Sequence, residues 1–230
     1  MPMLIAVTLM WAFSFSLIGV YLAGQVDAWF SVLIRVALAT LVFLPFLKLG
    51  QIKVKVALQL MLCGAFQLGI MYGFYYQSFL YLSVPEVLLF TVMTPIYITL
   101  FNDLLDRQLN IGFILSSLLA VIGAITIRYQ GIDEGFLTGL LIVQAANICF
   151  AVGQVSYKRT LAKEPTDLPQ RTVFGWFFIG ALTVVTPCYL LLGNPDKLPT
   201  TSLQWTILVY LGIVASGLGY FAWNKGATQV

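Results

Sequence analysis

The chain has 230 residues, 60% of them hydrophobic and 9% charged, with a formal net charge of +3, three cysteines and no histidine. A soluble domain is typically about 25% charged, so the composition excludes a water-soluble globular protein and implies several membrane spans. Without histidine the commonest metal ligand and the usual proton relay are gone, and Cys63, Cys149 and Cys188 stand in apolar segments without metal-like spacing.

A spanning helix needs about 20 mostly apolar residues. The first such run is 2–23. No Lys or Arg precedes it, which predicts a helix that stays rather than a cleaved leader. It carries Trp11 and Phe15. After the break Gly24-Gln25-Val26-Asp27 comes a run at 28–47, holding Arg35 on a small-residue stripe with Ser31 and Ala39. The third run, 56–79, has Gln67, Met71, Phe74 and Gln77 at helical spacing, with Tyr72, Tyr75 and Tyr76 beside them. The fourth, 84–103, opens on Ser83-Val84-Pro85-Glu86, a capping box, and carries Thr94-Pro95 near its middle. Proline there frees a backbone carbonyl and permits a kink.

The fifth run is 110–128, followed by Gly131-Ile132-Asp133-Glu134-Gly135. The sixth, 136–157, has the clearest polar stripe: Gln144, Asn147, Ala151 and Gln154, spaced 3, 4 and 3. A polar connection at 161–171 leads to the seventh run, 172–192. The eighth, 204–224, ends on Tyr220, Trp223 and Asn224. Small residues four apart, Gly69/Gly73 and Ala215/Gly219, suit close helix approach. The fold class expected is all-α, a polytopic membrane bundle of about eight helices.

Orientation follows from Lys and Arg. With the N-terminus inside, Lys48, Lys53, Lys55, Arg107, Lys158, Arg159, Lys163, Arg171 and Lys225 lie inside, and Arg128 and Lys197 outside. These basic residues mark loops and are no nucleic-acid signal.

The chain also repeats itself. A shift of 139 places Trp11-Ala12 on Phe150-Ala151, one of 142 places Pro45 on Pro187, and one of 146 places Gly73-Phe74 on Gly219-Tyr220. The first copy covers 1–132 and has five helices. The second, 135–230, has three, so two more are expected after Val230, about 60 to 70 residues. An odd number of helices inverts the second copy, the arrangement that supports alternating access.

Two ionisable residues are embedded, Arg35 and Glu86. A charge at a helix centre costs about 2.5–3.5 kcal/mol on insertion scales and is a functional suspect. Arg35 reads either as a fixed cation for a substrate carboxylate or as an arginine that snorkels to the outer headgroups or pairs with a neighbour. Glu86 reads as a cap, as a proton-coupling carboxylate or as a partner for Arg35. The amides at Gln67, Gln77, Gln144, Asn147, Gln154 and Asn224, with Trp11, Phe15, Phe74, Tyr220 and Trp223, are expected to line an aromatic pocket with few polar points, or to glue helices. Thr94, Pro95 and Glu86 are candidates for gating or coupling. Ser216, in Val214-Ala215-Ser216-Gly217, has no base to make it a nucleophile, and the chain shows no HExxH, Walker A or GxGxxG context. No enzyme, cofactor or metal is expected.

Three stretches carry a family resemblance: Trp11-Ala12-Phe13-Ser14-Phe15, Leu33 to Ala39 around Arg35, and Pro85-Glu86-Val87-Leu88-Leu89-Phe90 running to Thr94-Pro95. With Leu208 to Tyr220 they resemble the drug/metabolite transporter superfamily in its EamA-type carrier branch, over the whole chain. Tyr21-Leu22-Ala23-Gly24 and the run Gly219 to Val230 are most similar to bacterial inner-membrane carriers for biotin uptake. The resemblance implies ten helices in two inverted five-helix repeats around a central cavity. It implies that biotin or a similar small carboxylate is carried to the cytoplasm by alternating access. Arg35 matches the second-helix arginine and Glu86 the fourth-helix acidic position. An exporter of amino acids or other metabolites on the same fold, and a non-transporting membrane fragment, remain alternatives.

Overall fold

A computed structural model describes residues 2–108, 111–127, 134–164 and 168–229. Arg128, the loop 131–133, Pro165-Thr166-Asp167 and Val230, all used above, lie outside the described residues. The described residues form helices joined by turns. Seven helices are long and apolar enough to cross a membrane: α1 Met3–Leu22, α2 Ala28–Phe46, α3 Val54–Ser78, α4 Val84–Asp106, α6 Gly135–Lys163, α7 Gln170–Leu192 and α8 Ser202–Ala227. The eighth expected, α5, is a 17-residue helix, Ile111–Ile127.

Some helices outrun their apolar stretches. Helix α6 continues through Lys158 and Arg159 to Lys163, because membrane depth is set by hydropathy but helix length by backbone chemistry. The starts follow side-chain caps. Asp27 accepts the Phe30 amide at the head of α2, and Thr201 with Gln204 forms a capping box at α8. Gly24, at φ 75°, makes the turn between α1 and α2.

Helix α3 packs on α6 and α7, α8 packs on α1 and α2, and α2 crosses α7. The tightest crossing is α3 against α7. A Cβ on Gly64 would fall 1.8 Å from the Phe177 carbonyl oxygen, and one on Gly180 1.9 Å from that of Met61. The two small-residue motifs are used less evenly. Gly69 faces Ala181, Gly73 takes the ring of Trp29, and Gly219 sits under Met10 and Trp11.

Two helices contain a widened turn with i→i+5 bonding: Ala65–Ile70 in α3 and Leu211–Leu218 in α8. The sequence shift of 146 carries 65–70 onto 211–216. A third closes α1 at Ile18–Leu22. Such turns are rare and recur at functional sites.

One end of the bundle is basic. There Lys53 bonds Glu164 at 2.8 Å, Arg159 meets Asp106 at 2.7 Å, and Arg171 covers the ring of Phe46. At the opposite end Asp27 accepts from the Asn194 amide, and its own amide donates to the Lys197 carbonyl.

Candidate functional site

A cavity of about 380 Å³ lies in the middle of the bundle. Helix α1 contributes Trp11, Ser14 and Phe15, and α3 contributes Met71, Tyr72 and Tyr75. Helix α4 gives Thr91, Thr94, Pro95 and Ile98, α6 gives Asn147 and Phe150, and α8 gives Tyr220 and Trp223. The volume lies in the roughly 300–1,000 Å³ range of small-molecule sites.

Arg35 of α2 supplies the charge. Its residue is 2% exposed, and Ser31 and Ala39 share its buried face. The guanidinium donates through Nε to Ser216 Oγ at 3.1 Å, through Nη1 to the Tyr76 hydroxyl at 3.1 Å, and through Nη2 to the Tyr72 hydroxyl. It also lies over the Tyr72 ring, 4.1 Å from the centroid. Tyr72 and Ser216 are themselves 3.0 Å apart. These partners are all neutral. A guanidinium has five donors and no acceptor, so hydroxyls orient it without cancelling its charge.

Trp11 organises the aromatic wall. Its ring centroid is 4.9 Å from Tyr220, 5.1 Å from Trp223 and 6.1 Å from Phe150. Its indole N–H donates to the Ala215 carbonyl at 2.9 Å, inside the widened turn of α8. The Trp223 indole N–H donates to Gln154 Oε1 at 2.7 Å. Both indoles are thereby fixed in orientation, packed against each other and still lining the cavity.

The polar wall is the break in α4. Its two segments, Val84–Thr91 and Thr94–Asp106, are separated by a turn at Val92-Met93. Pro95 has no N–H for the Thr91 carbonyl, and the Thr94 hydroxyl donates there instead at 2.7 Å. The same hydroxyl lies 2.9 Å from Asn147 Oδ1, while Asn147 Nδ2 donates to the Phe90 carbonyl at 2.9 Å. One side chain of α6 thus splints both edges of the break.

The model of the EamA-like transporter family matches residues 1–129. The chain belongs to that family. Over 231 residues it is 56% identical to a protein of Salmonella typhimurium (strain LT2) named biotin transporter, covering 100% of this chain and 77% of the relative. It is 54% identical over 231 residues to the biotin transporter of Escherichia coli (strain K12), with the same coverage. A crystal structure of a protein of 17% identity superposes with a TM-score of 0.67, covering 97% of this chain and 78% of the other, which is a likeness of fold.

With the family settled, the predicted residues divide. Arg35, Trp11, Phe15, Asn147, Tyr220, Trp223, Thr94 and Pro95 line one cavity. Gln67, Phe74, Gln77, Gln144, Gln154, Asn224 and Glu86 do not. On α3 the chosen stripe reaches the cavity only at Met71, and Gln67 and Met71 lie on either side of a change in helix phase. Extrapolating 3.6 residues per turn from Gln67 crosses the widened turn at 65–70, which takes up an extra residue and slips the phase by roughly 100°. Phe74 is exposed, and Tyr72 and Tyr75 face inward. Gln67 is fully buried beside Gly153 of α6, and its amide has no hydrogen-bond partner among the described residues.

Gln144 accepts from Asn147 at 3.1 Å, and Gln154 stands behind Trp223. Asn224 folds back onto the Tyr220 carbonyl. Glu86 accepts the Ser83 amide at 2.8 Å and its hydroxyl at 2.7 Å, in the capping box. The sequence reading set Ser216 aside as a nucleophile and missed it as an arginine partner. Its signal was a polar residue on the Ala215/Gly219 stripe, a face already marked for close packing.

Proposed function

We propose that this multi-pass transporter carries biotin inward across the bacterial inner membrane, with Arg35 as the carboxylate contact. The observation that carries the reading is a fully buried guanidinium at a cavity whose partners are neutral hydroxyls. Leaving a charge in the membrane interior is costly, and a ligand carboxylate offsets that cost only while bound. Biotin has a carboxylate on a flexible chain and a fused ring system with a urea face. Arg35 suits the first, the aromatic wall the ring flanks, and Asn147 with Thr94 the urea. The names of the relatives point to the same substrate.

The N-terminus is assigned to the cytoplasm, because the basic end of the bundle carries nine Lys and Arg and the opposite end Lys197. We assign 1–132 and 135–230 to two inverted copies. Exchanging α1 with α6, α2 with α7 and α3 with α8 turns the α3 contacts with α6 and α7 into the α8 contacts with α1 and α2. The matched widened turns of α3 and α8 obey the same exchange. Binding to either access state and rocking of one copy against the other would then move the substrate. Glu86 and the α4 break are candidates for the moving parts.

The test is uptake of labelled biotin by cells lacking other biotin carriers. Competition by unlabelled biotin, and none by amino acids, is expected. Amino-acid competition, or net efflux from preloaded cells, would overturn the assignment.

A further inference from the structure

We propose that the crevice at the basic end, between α3, α4 and α6, is a binding site for an anionic phospholipid. It has a volume of about 420 Å³ and is separate from the central cavity. Two helices form its walls with matching periodicity. Helix α3 presents Lys55, Gln59, Leu62 and Phe66, and α6 presents Lys163, Arg159, Ser156 and Val152. Both series step by 4, 3 and 4 residues, a single helix face.

Read from the bundle end inward, the two walls change character together. Lys55 and Lys163 come first, then Gln59 with Arg159, then Ser156 beside Leu62, and last Phe66 with Val152. Eleven residues at 1.5 Å rise span roughly 16 Å. Cations on the first two rungs, Gln59 and Ser156 as polar groups beside and below them, and hydrocarbon from Leu62 to Phe66 and Val152, over that depth, follow a phospholipid from phosphate through ester to acyl chain.

The crevice also opens sideways. Leu62 is 60% exposed, Leu105 of α4 46% and Phe66 39%. In a membrane protein such side chains face lipid, so the deep end of the crevice is continuous with the bilayer. A soluble anion would have no use for that end. Charge balance favours an anion at the mouth. Among the described residues that line the crevice, Lys55, Arg159 and Lys163 stand against Glu164, whose carboxylate is bonded by Lys53 and also felt by Lys55, while Asp106 takes Arg159, so positive charge predominates at the mouth. Basic pockets between spanning helices are suited to anionic head groups.

The test uses the purified chain in detergent, titrated with phosphatidylglycerol or phosphatidylcholine and read by native mass spectrometry. Phosphatidylglycerol is expected to be retained preferentially. Lys55→Gln with Lys163→Gln should weaken its retention roughly thirty-fold and leave thermal unfolding unchanged. Val152→Trp, which fills the deep end, should weaken long-chain but not dihexanoyl phosphatidylglycerol. Equal retention of the two lipids, or no response to the double substitution, would overturn the site. So would displacement by millimolar inorganic phosphate with no dependence on acyl length, which would make it a phosphate site. None of these readouts depends on which substrate the central cavity carries.

Discussion

Two arginines of this bundle are held in opposite ways. Arg159, at the basic end of α6, meets the Asp106 carboxylate at 2.7 Å and donates to the Asn102 carbonyl and side-chain oxygens at 3.1 and 2.9 Å. Arg35, in the middle of α2, has only hydroxyl partners among the described residues and is far more deeply buried. Arg159 closes its electrostatics within the chain, tying the end of α4 to α6. Arg35 is oriented but not neutralised, at the one place where a cavity reaches it. A charge with its counter-ion built in reads as structure. A charge with its geometry built in and its counter-ion missing reads as recognition.

The sharpest way to break this contrast is Arg35→Ala. It should lower biotin uptake, as kcat/KM, about 100-fold, the scale of a lost charge-assisted pair in a buried site. Membrane insertion and expression should persist, since the substitution removes an uncompensated charge. Arg35→Lys keeps the charge but loses the fork that Tyr72, Tyr76 and Ser216 orient, and should fall between. Uptake kinetics of Arg35→Ala at equal expression that match the native chain would end the carboxylate role.

Arg159→Gln should show the reverse pattern. The pair is partly exposed, with 25% and 44% side-chain accessibility, so screening keeps its contribution small. Together with the bonds to Asn102 we expect a loss of about 1 kcal/mol of stability. Thermal unfolding in detergent should register it, while uptake per folded molecule stays within about twofold. A large loss of uptake with unchanged unfolding would place Arg159 on the substrate path and dissolve the contrast.

The same pair of residues shows what could be read without coordinates. Arg35 was legible because insertion cost alone singles out a mid-helix charge. The Lys and Arg that define the basic end were legible too, because their spacing needs only the helix boundaries. Trp11, Asn147, Tyr220 and Trp223 reach the cavity, whereas Gln144 and Gln154, at helical spacing with Asn147, stand beside or behind it. The inward face of α3 was not legible, since no residue type announces the widened turn at 65–70 that precedes Tyr72 and Tyr75. The contact between Arg35 and Ser216 joins helices 181 residues apart, and such a meeting depends on packing. Asn147 was expected as a cavity amide or as helix glue, and the geometry makes it both, through the Phe90 carbonyl and Thr94.

The smallest expected effect belongs to the pair Lys53–Glu164 at the basic end, where the lysine is exposed and the carboxylate half-buried. The lysine holds the Glu164 carboxyl below its ordinary 4.5, first through the hydrogen bond and then through charge, and the carboxylate raises Lys53 above 10.5 by the same causes. A depressed acid contributes stability above its unfolded pKa and loses it as pH falls through the folded value. A raised base contributes below its unfolded pKa and loses it as pH rises through the folded one. The pair is therefore intact from just below pH 4.5 to just above 10.5, and solvent screens it throughout. Glu164→Gln should lower the unfolding temperature between pH 5 and 9 only slightly and evenly, and should flatten the acid limb and, through Lys53, the alkaline limb by the same small amount. A clear drop at neutral pH would mean that Glu164 does more than pair with Lys53. The contrast between built-in and missing counter-ions would then have to include the rim of the crevice as well as its two arginines.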